Sequence, residues 1–309
     1  MVGNIHAADA AGIARAAQVL RAGGLVAVPT ETVYGLAARA DSAEAIAGIY
    51  RAKGRPDFNP LIVHVPGLAE AEALARFDDR ARALAQAFWP GALTLVLPLQ
   101  GGAAVASAVS AGLPTLALRC PAHPAMRAVL AETGLPLAAP SANRSGGVSP
   151  TSAAHVAASL GDRVDLILDG GDCPAGIEST IVAVREQGWQ VLRPGPITES
   201  EIARAIGPAS SPGPGGIEAP GQLASHYAPG KPVRLDARES HFGEFHIGFR
   251  EVEGDFNLSP AGDLGEAAAR LYAALHRAAA DPAARIAVAP IPEEGIGIAI
   301  NDRLRRAAA

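Results

Sequence analysis

The sequence predicts an α/β protein: a twisted sheet of mixed parallel and antiparallel strands flanked by helices, then a small second α/β domain. Three observations carry this. Up to residue 206, short apolar runs of strand length alternate with segments whose apolar residues recur at helical spacing. The runs at 180–184 and 189–192 are too close for a crossover helix, so neighbouring strands there are antiparallel. Composition then changes abruptly, because 208–221 is mostly Pro, Gly, Ser and Ala, and a new pattern starts at Pro232.

In order along the chain, Asp9 caps a helix whose Ile13, Ala16, Ala17, Val19 and Leu20 recur at helical spacing, and Gly23 and Gly24 end it. Residues 25–28 read as a buried strand, 42–53 as a helix, 61–65 as a strand, 78–88 as a helix, and 93–97 and 115–119 as strands. Helices follow near 123–132 and 151–160, with strands near Leu137, 164–168, 180–184 and 189–192. A Thr198/Glu201 capping box opens a helix over 198–206. The expected domains are therefore 1–207, a linker over 208–231, and a second domain over 232–309. This last unit has strands near Val233, 245–249 and 286–289 and helices at 264–279 and 299–306. So small a unit has a marginal core unless it leans on its neighbour.

Composition excludes several classes. Of 309 residues 49% are hydrophobic and 18% charged, too apolar for a disordered chain. The net charge is −5, with 16 bases against 18 acids up to Gly207 and 10 against 13 after it, so neither half is a basic nucleic-acid module. Cys120 and Cys173 share no ligand spacing, so neither a disulfide framework nor a metal site of the chain's own is expected, and a reducing cytoplasm suits it. Residues 1–12 lack a basic and then apolar leader, so no signal peptide is expected. Residues 90–118 carry no charge, but Pro98, Gly101, Gly102, Gly112 and Pro114 interrupt any apolar span.

The 26 bases comprise 24 Arg and only two Lys, Lys53 and Lys231. Lys53 stands in Lys53-Gly54-Arg55-Pro56, which closes a helix. Gly54 and the cations suit a helix end, and this capping account works by itself. A Lys kept beside Arg in so Arg-biased a chain also suits a phosphate clamp, a compact ammonium next to a planar fork. Three other polar stretches follow strand ends, where sites in α/β sheets collect. Residues 29–36 carry three hydroxyls and Gly35, equally consistent with a strand-to-helix turn. Residues 140–147 suit a loop around ribose or phosphate, or an ordinary turn. Residues 176–180 pair with 192–195. His64, by alternation, shares a face with Ile62 and not with Leu61, Val63 and Val65, and a satisfied core histidine is the alternative to a ligand contact. No P-loop, dinucleotide fingerprint or zincin motif occurs.

Together the stretches resemble one family. The run 24–36, then Lys53-Gly-Arg-Pro with Asn59-Pro-Leu-Ile-Val-His64, then Pro140-Ser-Ala-Asn-Arg-Ser-Gly146, is similar to L-threonylcarbamoyl-AMP synthases with the YrdC-like fold. His226-Tyr-Ala-Pro229, Asn257-Leu-Ser-Pro, Gly295-Ile-Gly and 299–304 resemble the long two-domain form. The resemblance implies a YrdC-like mixed sheet and a Rossmann-like second domain. It implies a nucleotidyltransferase that joins L-threonine, bicarbonate or CO2 and ATP into threonylcarbamoyl-AMP and pyrophosphate, with Mg2+ accompanying the ATP. The product would pass to the machinery that modifies tRNA, with direct tRNA binding weak or absent. A monomer is expected.

Carried over by position, the signature pairs fall on Lys53, Arg55, Ser141 and Asn143 as catalytic residues. Threonine would meet Thr32, His64, Arg119 and Ser179. ATP would meet Arg55, Asn59, Thr115, Ser141, Ser149, Arg193 and, on a linker acting as lid, Tyr227. Asp169 and Asp172 read as turn residues. Two departures stand out: little sequence separates Leu235 from Phe245, so the second sheet is expected to be short of an element, and 218–223 replaces the lid sequence of the family. Other classes remain as alternatives. An RNA-binding or ribosome-assembly accessory is disfavoured by the acidic balance and few aromatics. A carbamoyl-transfer module of hydrogenase maturation is disfavoured by the missing cysteine-rich segments.

Overall fold

The structure is a computed structural model that describes residues 4–56, 58–210, 218–219 and 226–309. Asp57 and most of the linker, 211–217 and 220–225, lie outside the described residues, and with them part of the expected lid. The chain begins β1 (Ile5–Ala7), α1 (Ala10–Arg21), β2 (Val26–Val28), β3 (Gly35–Arg39), α2 (Ala43–Lys53), β4 (Ile62–His64), α3 (Leu68–Glu72) and α4 (Asp79–Phe88). It continues with β5 (Leu93–Pro98), β6 (Thr115–Arg119), α5 (Pro124–Thr133), β7 (Leu137–Ala138), α6 (Ala153–Leu160), β8 (Leu166–Asp169), β9 (Thr180–Arg185), β10 (Gly188–Arg193) and α7 (Glu199–Ile206). The second domain holds β11 (Val233–Arg234), β12 (Glu244–Gly248), β13 (Phe256–Asn257), α8 (Leu264–Ala280), β14 (Arg285–Val288) and α9 (Gly297–Ala308).

Local chemistry sets the helix ends. Asp9, Ser42 and Asp78 each accept a backbone N–H in the first turn of α1, α2 and α4, and Thr198 and Glu201 form the full capping box of α7. Gly54 ends α2 in the left-handed region at φ 60°, which releases the chain into the Arg55 turn.

The large sheet runs β1-β8-β2-β3-β7-β4-β6-β5-β9-β10. Pairs β1/β8, β2/β8, β4/β6 and β5/β9 are parallel, whereas β2/β3, β3/β7, β4/β7, β5/β6 and β9/β10 are antiparallel. The mixed sheet is thus as expected, but residues 29–36 are not a strand-to-helix turn. They lead from β2 directly into antiparallel β3, and Gly35 is itself in the sheet. Strand β1, helix α3 and β13 are also additions to the sequence reading; they are two to five residues long, too short for periodicity to reveal.

Alternation sorts the two faces of the central strands. Leu61, Val63, Val65, Leu116 and Leu118 join the main core beneath α2 and α4. On β4, Ile62 and His64 point the other way, as do Ala117 and Arg119 on β6. That face carries the cleft.

The second domain has four strands in the order β11-β14-β12-β13, all parallel. Its core does lean on its neighbour: Val33, Val148, Ile177 and Tyr227 pack in one cluster with Ile247, Leu271, Leu275 and Ile300. Gly176, at φ +68°, makes this contact possible, since a Cβ there would lie 2.4–2.5 Å from the backbone of Ala268 and Ala269 on α8.

Candidate active site

The cleft lies on the face of β4 and β6 opposite the main core, closed on one side by 30–35, on another by 139–141 and 178–179, and covered by His226 and Tyr227. At one end Arg119, buried at the end of β6, donates from Nη2 to Glu31 Oε1 at 2.6 Å and from Nη1 to Thr32 Oγ1 at 2.9 Å. Burial pushes the Glu31 carboxyl up, but the Arg119 charge and hydrogen bonds outweigh it and hold the group below the usual range. Thr30 Oγ1 lies 2.8 Å from Thr32 Oγ1 and donates to Val33 O, so this turn presents two ordered hydroxyls. His64 stands beside Arg119 through the parallel register of β4 and β6. Burial, and then Arg119, drive its pKa down to about 3, and its Nδ1 is buried without a partner among the described residues. It is therefore a neutral imidazole with one nitrogen uncommitted.

The other end is built by the turn after α2. Arg55 donates from Nε to Asn59 O at 3.2 Å and from Nη2 to Pro60 O at 2.9 Å, and burial lowers its pKa to about 10, still cationic near neutrality. Arg193 leaves β10 and donates from Nε and Nη2 to Ser179 O, and from Nη2 to Ser179 Oγ at 3.2 Å. Gly195 permits this approach: a Cβ there would meet Thr180 N at 2.3 Å. Ser179 Oγ also shares a 2.8 Å hydrogen bond with Thr94 Oγ1.

Of the residues singled out by sequence, Thr32, Arg55, His64, Ser141, Ser179, Arg119, Arg193 and Tyr227 line this one cleft. The others stand around it. Lys53 does not project into the cleft; its buried Nζ donates to Ser141 O at 2.5 Å and Asn143 O at 2.6 Å, and its own carbonyl accepts from Ser145 N. It clamps the 140–147 loop from behind, and burial, then Arg55, lower its pKa well below that of a free ammonium. Asn143 is buried in the same loop, donating from Nδ2 to Arg144 O and Gly147 O. Asn59 is buried beside Arg55, and the Oδ1 atoms of Asn59 and Asn143 have no partner among the described residues. Ser149 sits behind the wall and donates to Glu178 Oε1 at 2.5 Å. Thr115 opens β6, four residues from Arg119 and on its face, so roughly 13 Å of strand separates it from the Arg119 end.

The sequence reading gave no role to Glu31, Glu178, Tyr272, Arg303 or His226, although motifs containing most of them were noted. Glu31, Glu178, Tyr272 and Arg303 are partners across chain distance, a pairing no local pattern marks, and His226 lines the cleft with its ring against Tyr227. Asp169 is not a turn residue but the last residue of β8, and its Oδ1 accepts from Gly171 N in the turn that follows. No group of three potential metal ligands occurs among the described residues, and the cleft carboxylates, Glu31 and Glu178, are each held by an arginine. The chain's own groups therefore do not fit a resident divalent cation.

The cleft of arginines, hydroxyls and a neutral imidazole on a mixed α/β sheet suits a class of chemistry carried by positioning and charge stabilisation. Comparison with known proteins gives the family. Residues 18–195 match the Sua5/YciO/YrdC profile, described as "Telomere recombination", and 197–309 match "Threonylcarbamoyl-AMP synthase, C-terminal domain". Threonylcarbamoyl-AMP synthase of Bacillus subtilis is 40% identical, covering 96% of this chain and 92% of the relative. The Pyrococcus abyssi enzyme of that name is 38% identical over 94% of this chain and 92% of its own length. The crystal structure of P. abyssi Sua5 complexed with L-threonine superposes with a TM-score of 0.88 at 36% identity, covering 96% and 94% of the two chains. The chain belongs to the threonylcarbamoyl-AMP synthase family, in its two-domain form, and is an enzyme of nucleotidyltransferase type.

Proposed function

We propose that this protein forms L-threonylcarbamoyl-AMP and pyrophosphate from L-threonine, bicarbonate or CO2 and ATP. One observation carries the reading: a single cleft joins an Arg119–Thr32–His64 end suited to an amino acid with an Arg55–Arg193–Ser141 end suited to a polyphosphate. The solved threonine complex of the P. abyssi relative supports it.

In this reading Arg119 receives the threonine carboxylate, while Thr32, Ser179 and the uncommitted His64 nitrogen read its amine and hydroxyl. The neutral amine adds to carbon dioxide and gives up a proton to form a carbamate; from bicarbonate the same carbamate forms with loss of water. A carbamate oxygen then attacks the α-phosphorus of ATP as the bond to pyrophosphate breaks, and the cationic end stabilises the charge moving onto the leaving group. Arg55, Arg193, Asn59, Thr115, Ser141 and Tyr227 make the nucleotide end, with Lys53, Asn143 and Ser149 holding its walls. Mg2+, as part of the ATP substrate, would supply further charge neutralisation on the triphosphate.

The product serves tRNA modification through other proteins, and the enzyme works as a cytoplasmic monomer without tight tRNA binding. Among the described residues no helix is long and apolar enough to cross a membrane. The test is pyrophosphate release from ATP with threonine and bicarbonate together and with each omitted. Release that requires both is expected; release indifferent to threonine would overturn the reading.

A further inference from the structure

Glu178 faces the cleft next to Ser179, yet the groups that hold its carboxylate come from elsewhere in the fold. Ser149 Oγ donates to Oε1 at 2.5 Å, and Tyr272 Oη and Arg303 Nε donate to Oε2 at 2.8 and 3.0 Å. Tyr272 lies on α8 and Arg303 on α9, both in the second domain. Arg303 is fully buried. Its Nη1 also donates to Pro194 O at 2.8 Å, and its guanidinium stands 5.5 Å from the centre of the Tyr227 ring. One side chain of the second domain therefore touches the cleft carboxylate, the turn after Arg193 and the ring that covers the cleft.

A carboxylate on the wall of a polyphosphate site repels its ligand unless a nearby cation cancels it, and water is too scarce there to screen the pair. Burial would raise the Glu178 carboxyl, but Arg303, then Arg193, with the Ser149 and Tyr272 hydroxyls, hold it down to about 2, so it stays ionised at every working pH. The neutralising charge must therefore come from a base. Arg193 is shared with Ser179, whereas Arg303 approaches the carboxylate from behind, away from the space a nucleotide would fill. Asp302, 2.9 Å from Arg303 Nη1, is shared in turn with Arg306.

We propose that Arg303 is a positioning residue for the nucleotide end of the cleft, which cancels the Glu178 charge and steadies the Tyr227 ring. The second domain is then a working part of the nucleotide site. The inference rests on the nucleotide reading given above.

The test uses full-length protein and steady-state pyrophosphate release, with KM for ATP and for threonine measured separately in the wild type, in Arg303→Met and in Arg303→Met combined with Glu178→Gln. Arg303→Met is expected to raise KM for ATP about tenfold while KM for threonine stays within about twofold. Adding Glu178→Gln removes the stranded charge and is expected to recover at least half of that loss on a logarithmic scale. A merely structural Arg303 would lower kcat through the active fraction and gain nothing in ATP affinity from Glu178→Gln. An unchanged KM for ATP in Arg303→Met, or no recovery in the double variant, overturns the proposal. If Arg303→Met does not fold, Tyr272→Phe, which takes one hydroxyl from the same carboxylate, is expected to raise KM for ATP about threefold, and no change would overturn it. A wild type without threonine-dependent release would instead overturn the reading on which the inference rests.

Discussion

Arg119 and Glu31 form a 2.6 Å ion pair at one end of the cleft, with side chains only 4% and 14% exposed. The second Glu31 oxygen accepts from Ala122 N at 3.0 Å, so the pair is fixed from both sides. A ligand carboxylate reaching Arg119 meets a guanidinium already oriented by Glu31 and Thr32.

Arg119→Ala should therefore do two separable things. It strands a buried carboxylate, which is expected to cost about 3 kcal/mol in urea unfolding. Threonine-dependent pyrophosphate release should also fall at least ~100-fold in kcat/KM. Adding Glu31→Gln should restore most of the stability and none of the activity; recovery of both would assign Arg119 to scaffolding alone.

Lys53→Met is expected to behave differently from Arg55→Ala. The first leaves two inward carbonyls, Ser141 O and Asn143 O, without their donor, a loss of about 2 kcal/mol together with most of the activity. The second should raise KM for ATP with a smaller loss of stability. Equal stability losses in the two variants would contradict the separate placements of the side chains.

Tyr227 Oη is buried with no partner among the described residues, and the residue holds a left-handed backbone at φ 62°. Tyr227→Phe removes only that hydroxyl, so its melting temperature should match or exceed that of wild type. KM for ATP should rise severalfold. An unchanged KM would remove the hydroxyl from the nucleotide site.

His155 and His276 stack across the domain interface with ring centres 3.9 Å apart. His276 Nε2 faces Ser149 O at 3.0 Å, and Thr151 lies 3.3 Å from His155 Nδ1. Burial lowers both pKa values, that of His276 to about 4 with His155 adding to the effect. The folded protein thus binds these protons less readily than the unfolded chain, whose histidines titrate near 6.5. Stability should be intact above that pH and fall as pH drops from 6.5 towards 4. His276→Gln should flatten that limb in thermal unfolding measured across pH; an unaltered slope would place the sensitivity elsewhere.

Much of the scaffold was legible because its causes are local. The caps at Asp9 and Thr198 each act within a turn, and the alternation of 61–65 places His64 on the face opposite Leu61 and Val63 without reference to any strand pairing. That 29–36 leads into strand β3 and not into a helix is not legible locally, for the converse reason. Whether a strand leads into a helix or another strand depends on what lies alongside, and β3 is held by β2 and β7. Its own five residues, Gly-Leu-Ala-Ala-Arg, suit a helix as well as a strand.

The same division runs through the site. Sequence alone determined which short polar stretches follow strand and helix ends, and it marked Lys53 as exceptional among 26 bases. Only the tertiary structure decided that Lys53 clamps the 140–147 loop from behind, that Glu31 orients Arg119, and that Arg303 reaches Glu178 from 125 residues away. The reason is physical. Caps and alternation are set by neighbours within a few residues, whereas charge pairing in a buried cleft is set by distances in space, and those exist only once sheet order and domain packing bring remote segments together.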